Sequence, residues 1–188
     1  MNYDTTSRTH GTWLKAADLR RLCALESTLR TNPGTLLHVH TENATAFIDS
    51  YNQTPLRTLY PDRVVVHQTS FAEIFQGTAL EPWYMNTTTG EVKKRPGQQL
   101  ANAARLVVLK KHGGTYFDLD YIVQKDLSKL PPNYLALQAH RSLRDVPELK
   151  GHIINNAFLR FEKPNHPFLE RAIKGFVEVR ATDKCTRS

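Results

Sequence analysis

Arg105 to Gln124, RLVVLKKHGGTYFDLDYIVQ, sets a helix, a glycine break, a short strand and two carboxylates in that order. Leu100, Ala103, Ala104, Val107 and Val108 recur with the spacing of one helix face. Lys110 and Lys111 fall in its last turn and Gly113 at the stop position. Gly113 and Gly114 allow a left-handed turn and close backbone approach, which suits a helix running straight into a buried strand. If the strand continues through the aspartates, Asp118 and Asp120 share one face while Leu119 turns into the packing. Two like charges at that spacing repel unless a cation relieves them. A hard divalent ion held by oxygens does so, and it brings a phosphate or diphosphate with it. A bare D-x-D also occurs as two solvated aspartates after a strand; the helix, glycine break and strand ahead of this one favour a metal-bridged phosphorylated ligand.

The chain has 188 residues with 40% hydrophobic content, enough for one domain with a real core. Its net charge of +7 suits an anionic small ligand, an anionic membrane surface or nucleic acid. No basic run with interleaved aromatics is present, so nucleic acid is not expected, and a generally basic solvated surface is the plainest reading. No stretch approaches the ~18 to 20 apolar residues of a membrane span, and MNYDTTSRTHGTW is not a signal peptide, so the chain as written reads as soluble. Three N-x-T sequons, at Asn43, Asn52 and Asn86, fall in polar segments read as loops, the second weakened by Pro55. Cys23 on a helix and Cys185 in the tail allow a disulfide, but buried, free thiols are the plainer expectation.

In chain order, Lys15 to Arg30 carries a helical stripe of Leu19, Leu22, Cys23, Leu25 and Leu29, ended by Asn32-Pro33-Gly34. TLLHVHT and Arg63 to Gln68 alternate as strands, and Phe71 to Phe75 makes a short helical turn, so an α/β layered domain is expected. His38 and His40 share a strand face at metal-pair spacing, but no third ligand is near, and they read as core or edge histidines. Glu81 to Gln98 has no period and reads as a long loop carrying Trp83 and Tyr84. Ile122 to Leu130 is expected to carry the strand on to Pro131-Pro132, followed by a strand in YLALQAH, another in Ile153 to Phe161, and a helix over Pro167 to Val179.

The string L-x-x-A-x-R-x-x-x-L-x-x-x-G-G-x-Y-x-D-x-D, from Leu100 to Asp120, resembles the core of the DxD-containing sugar-transferase family, in its alpha-1,4-glycosyltransferase branch. CALES at Cys23 to Ser27, FAEIF and TALEPWY between Phe71 and Tyr84, and NNAFLRFEKPNHPF from Asn155 to Phe168 resemble the same branch. The resemblance implies a GT-A-type nucleotide-sugar-binding fold, a single layered α/β domain with a central mixed sheet over residues 13–179. Residues 1–12 are expected to be disordered and residues 180–188 to form a divergent tail.

What the resemblance implies for function is an alpha-1,4 transfer of a hexose or N-acetylhexosamine, with retention, from a UDP-sugar to a galactose-terminated glycolipid or glycan. Asp118 and Asp120 would hold Mn2+ or Mg2+. Arg105 would reach the diphosphate as a bidentate donor, a surface ion pair on the helix being the alternative, and Tyr116 would face the nucleotide side or serve as a core tyrosine. Asn155 and Asn156 would meet sugar hydroxyls, although asparagines at a strand entry are also ordinary turn residues. Asn102, three positions before the arginine, stands where the family has an acidic residue or asparagine; it can hydrogen-bond a sugar hydroxyl but cannot accept a proton. No catalytic nucleophile or base is assigned. Trp83 and Tyr84 would stack on a ring or anchor their loop.

Members of the family are typically type II Golgi proteins, with an anchor that this chain does not carry. The family also continues through a W-G-x-x-G-P segment absent here, so a form truncated at both ends is expected. A non-catalytic relative that binds nucleotide sugar without transfer is the alternative. FDLDYIV further resembles the strand motif of haloacid-dehalogenase phosphatases, but that family places it near the start of its domain and needs a later lysine and acidic pair, whereas here the motif is mid-chain and no paired acids follow.

Overall fold

The computed structural model describes residues 2–3, 16–89, 97–139 and 152–181. Cys185, the start of the segment similar to the family at Trp13, and most of the ends expected to be disordered or divergent lie outside them. In chain order the elements are β1 Asn2–Tyr3, α1 Ala16–Thr31, β2 Leu37–Thr41, α2 Ala44–Asn52, α3 Leu56–Leu59, β3 Val64–Gln68, α4 Phe71–Phe75, α5 Glu81–Thr89, α6 Gly97–His112, β4 Gly114–Phe117, β5 Asn133–Ala139, β6 His152–Phe161 and α7 Pro167–Ala181. β1 falls within the 1–12 segment expected to be disordered. None of the described helices is long and apolar enough to cross a membrane.

β1, β2 and β3 pair in parallel, from Leu37 opposite Val64 to Thr41 opposite Gln68. β4 and β5 flank β6 in antiparallel register, Gly114 opposite Phe161 and Phe117 opposite Phe158. β4 runs beside β1. The expected mixed sheet is thus carried as two abutting three-stranded sheets, one parallel and one antiparallel.

Alternation along β4 sorts the core. Tyr116, with Leu159 and Phe161 of β6, enters a cluster built on α4, α6 and α7, while Phe117, with Phe158, enters one built on α1, α2 and β2. Helix α6 is buried along almost its whole length, from Leu100 and Ala101 through Leu106 to Leu109. Its cationic last turn and positive-φ Gly113 end it as the sequence predicts.

Several expectations are corrected. The segment read as a loop from Glu81 begins as helix α5, because Trp83 and Tyr84 are anchors: Trp83 meets Phe176 edge-on at 5.3 Å and Tyr84 lies 5.4 Å from Phe75. Ile122 to Leu130 is not a strand. Its backbone is claimed by α1, with Val123 N donating to Ser27 Oγ at 3.1 Å and Leu127 N to Asn32 Oδ1 at 2.7 Å, and it closes in a 3-10 turn at Leu127–Lys129. The sequons are not in open loops: Asn43 caps α2 through Ala46 N, Asn52 ends α2, and Asn86 lies within α5. Cys23 is free but exposed rather than buried, because α1 turns Ala24, Leu25 and Leu29 inward instead.

Candidate functional site

The strand that delivers the aspartates ends one residue before the first of them. Asp118 N still donates to Ala157 O of β6 at 3.0 Å, and Tyr121 N then donates to Asp118 O at 3.1 Å, so Asp118 to Tyr121 is a turn. The pair expected on one strand face sits instead in that turn. Asp118 is half-buried and Asp120 is exposed.

Arg105, about two turns from the end of α6, is a buried arginine. Every arm of its guanidinium has a protein acceptor or ring. Nε donates to Ala101 O at 3.3 Å, Nη1 to Asn156 O at 2.8 Å and to Asn156 Oδ1 at 3.3 Å, and Nη2 pairs with Asp118 Oδ1 at 3.2 Å. Its Cζ stands 4.6 Å above the Tyr116 ring. The Tyr116 hydroxyl in turn donates to the same Asp118 oxygen. A buried cation is costly unless paired and hydrogen-bonded, and this one is both.

β6 makes the arrangement possible. Its pairing to β5 passes from Leu159 opposite Leu135 directly to Asn155 opposite Ala136, leaving Asn156, Ala157 and Phe158 bulged out of the β5 ladder. The bulge leaves the carbonyl of Asn156 to receive Arg105, while that of Ala157 receives the backbone of Asp118 in continuation of the β4 register. Asn155 Oδ1 accepts from Ala157 N at 2.8 Å, which spends that oxygen on shaping the turn.

The structure therefore brings together Arg105, Tyr116, Asp118 and Asn156. Asn102 lies one turn earlier on α6, half-buried and outside that hydrogen-bonded group. The donors of Arg105 expected on a diphosphate are directed at Asp118 and Asn156 instead, and Tyr116 is buried rather than open to a nucleotide. Tyr121 was not singled out in the sequence. It packs on Phe158 at 6.0 Å, and burial, then the charges of Asp118 and Asp120, push its hydroxyl pKa up, so it stays a proton donor beside the carboxylates. Only its place one residue after the D-x-D marks it in the sequence.

Asp118 has one oxygen committed to Arg105 and Tyr116 and a second oxygen outside those bonds. That oxygen and the exposed Asp120 carboxylate form an all-oxygen donor set, which suits a hard cation rather than a thiolate- or imidazole-seeking one. Among the described residues no group of three His, Cys, Asp or Glu can hold a metal ion. Phosphate oxygens and water would have to complete the shell, as they do at diphosphate-bound Mg2+ sites. The residues present fit such an ion.

Comparison with known proteins gives this geometry a context. Residues 18–137 match the family described as glycosyltransferase sugar-binding region containing DXD motif. Lactosylceramide 4-alpha-galactosyltransferase of Pan troglodytes is 29% identical over 160 residues, 84% of this chain and 41% of that protein. The Rattus norvegicus protein of the same name is 29% identical over 178 residues, 93% of this chain and 43% of its own. Human alpha-1,4-N-acetylglucosaminyltransferase is 28% identical over 117 residues, 62% of this chain and 30% of that protein. The chain thus spans less than half the length of these relatives. The solved structure of PaToxG glycosyltransferase superposes with a TM-score of 0.55 over 89% of this chain and 56% of its own, at 17% identity, which supports the GT-A-like fold.

Proposed function

The chain belongs to the glycosyltransferases whose sugar-binding region contains a DXD motif, and on that premise we propose that it binds a UDP-sugar through a divalent cation held by Asp118 and Asp120. The reaction we assign is alpha-1,4 transfer of a hexose or N-acetylhexosamine, with retention, to a galactose-terminated glycolipid or glycan. The observation that carries the reading is the clamp of Arg105 and Tyr116 on a single oxygen of Asp118, with Arg105 itself held by the two oxygens of Asn156.

A carboxylate fixed on one side by an arginine and a tyrosine presents its other oxygen in one orientation, and positioning of this kind is a large part of what glycosyl transfer asks of a protein. When bound, Mn2+ or Mg2+ would neutralise charge on the departing diphosphate. Arg105 and Tyr116 are positioning residues in this reading. They keep Asp118 aimed. Asn102, one turn back on α6, offers an amide to a sugar hydroxyl. Asn156 is shared between the clamp and the sugar side. The relatives' names support the linkage and the acceptor class, and the same reading places the domain in the Golgi lumen.

The test is UDP binding by the 188-residue chain with Mn2+ and with chelator. Binding should be at least about tenfold tighter with the metal, and Asp120→Asn should remove most of that difference. Tyr116→Phe should weaken the metal-dependent part by about tenfold, the cost of losing a group that orients a ligand. Metal-independent UDP binding would sink the proposal. Binding without transfer to lactosylceramide would restrict it to the donor half.

A further inference from the structure

The chain carries a second polar constellation at the opposite end of β4 from the aspartates. His38 and His40 lie on one face of β2, and His67 of β3 packs between them, its ring 5.2 Å from that of His38 and 4.6 Å from that of His40. His38 Nδ1 and His67 Nε2 are 2.9 Å apart, so one of the two rings donates to the other. These rings line a cavity of about 620 Å³ that opens where α6 hands over to β4, with His112, Thr115 and Arg160 on its other walls. Arg160 is braced there by Thr115 Oγ1 at 3.1 Å and Pro131 O at 3.2 Å.

The charge on those walls is of one sign. Four imidazoles and a guanidinium face the space, hydroxyls of Thr28, Thr35, Thr115 and Ser128 stand among them, and no Asp or Glu is among the described lining residues. Each element around the space contributes: His38 and His40 from β2, His67 from β3, His112 from α6 and Arg160 from β6. Burial lowers the pKa values of His38 and His40, and an anion entering the cavity would favour their protonated forms. The four-residue strand Gly114–Phe117 runs along this space toward the turn, and neither Asp118 nor Asp120 is among the described lining residues.

We propose that this cavity is a proton-linked binding site for a small phosphate-bearing anion, separate from the carboxylates of Asp118 and Asp120. A phosphate group accepts from imidazolium, guanidinium and hydroxyl donors together, and its oxygens match that mixed lining. Binding draws protons onto the histidine stack, so the site fills as pH falls.

The probe is inorganic phosphate, titrated calorimetrically into the 188-residue chain with chelator present, so that no cation links it to Asp118 and Asp120. Binding should be about fivefold or more tighter near pH 5.5 than near pH 7.5, with uptake of about one proton per phosphate, read from the dependence of the heat on buffer ionisation. His67→Gln should weaken it by about fivefold or more at the lower pH, and so should Arg160→Gln, a half-buried position whose change spares the β2–β3 packing. Asp120→Asn should leave it unchanged. Pelleting with phosphatidylcholine vesicles, with and without phosphatidic acid, distinguishes the source: retention that free phosphate competes away assigns a lipid headgroup, and no retention assigns a soluble phosphate. No phosphate binding, binding without proton uptake, binding untouched by Arg160→Gln, or binding lost with Asp120→Asn would overturn the proposal.

Discussion

Gly113 shows what a single residue decides in this fold. Its φ of +66° is left-handed, and a Cβ built on it would stand 3.0 Å from Phe161 O, Glu162 O and Lys163 C, all backbone atoms that cannot step aside. Gly113→Ala is expected to cost about 2 kcal/mol or more, from the left-handed backbone and the forced shift of the β6 to α7 turn together. A thermal melt should show a loss of roughly 4 to 8 °C, while Gly114→Ala, whose Cβ would meet nothing within 4 Å, should lose less. That a glycine belongs at Gly113 was legible, because a helix stripe ran straight into a strand. The site residues were legible in kind as well, since Arg105, Tyr116, Asp118 and Asn156 stood out in their motif. Their partnership was not. An arginine reads from sequence as a donor for some anion, and only the meeting of α6 with a β6 bulge makes that anion Asp118.

Among the elements, α4 carries a complete N-terminal cap of its own. Ser70 Oγ accepts from Glu73 N at 3.2 Å while Glu73 Oε2 accepts from Ser70 N at 2.7 Å, a reciprocal capping box. Those bonds hold the Glu73 carboxyl below its ordinary pKa. Ser70→Ala should destabilise by about 1 kcal/mol and speed amide exchange in α4 first, and the Glu73 pKa, followed by NMR, should rise toward the usual carboxylate range. An unchanged Glu73 titration would show the box to be unimportant in solution. The same capping logic explains which elements could be read in advance. α1, α4 and α6 carry apolar stripes with stop or cap signals close by. α5 carries three threonines, poor helix formers, and is helical because Trp83 and Tyr84 lock onto Phe75 and Phe176. The run after Asp120 has strand-like residues, but a strand needs a neighbour, and side chains of α1 took its amides first.

For the molecule as a whole, acidity should be felt first through the histidine stack. Burial, then the neighbouring His67, His112 and His38 and the amino terminus, lower the pKa of His40 to about 4, and that of His38 is lowered by burial first as well. The unfolded chain binds these protons near pH 6.5 and the folded chain does not. Stability is therefore fully present above about pH 6.5 and falls as pH drops through the window down to about 4, by about 2 to 3 kcal/mol for His40. Urea unfolding in phosphate-free buffer at about pH 7.5 and pH 5 should show that slope, and His40→Gln should flatten it. Below the window Glu73, Glu170 and Asp126, whose pKa values are lowered by hydrogen bonds to Ser70, Lys110 and Ser128, add their own losses. The β6 bulge has a last consequence, for how relatives of this chain can differ in length. The three residues Asn156 to Phe158 that β5 leaves unmatched are an odd number, so the strand before them runs out of step with the strand after them. Removing one would turn Ile153 and Ile154 about, exchanging which of them faces solvent; removing two would keep their facing but delete the carbonyls that receive Arg105 and Asp118. Deletion of one or two residues at this point is thus expected to disturb either the facing of the strand or the hold on Arg105, and the spacing between Asn155 and Phe158 is where relatives should keep the same count.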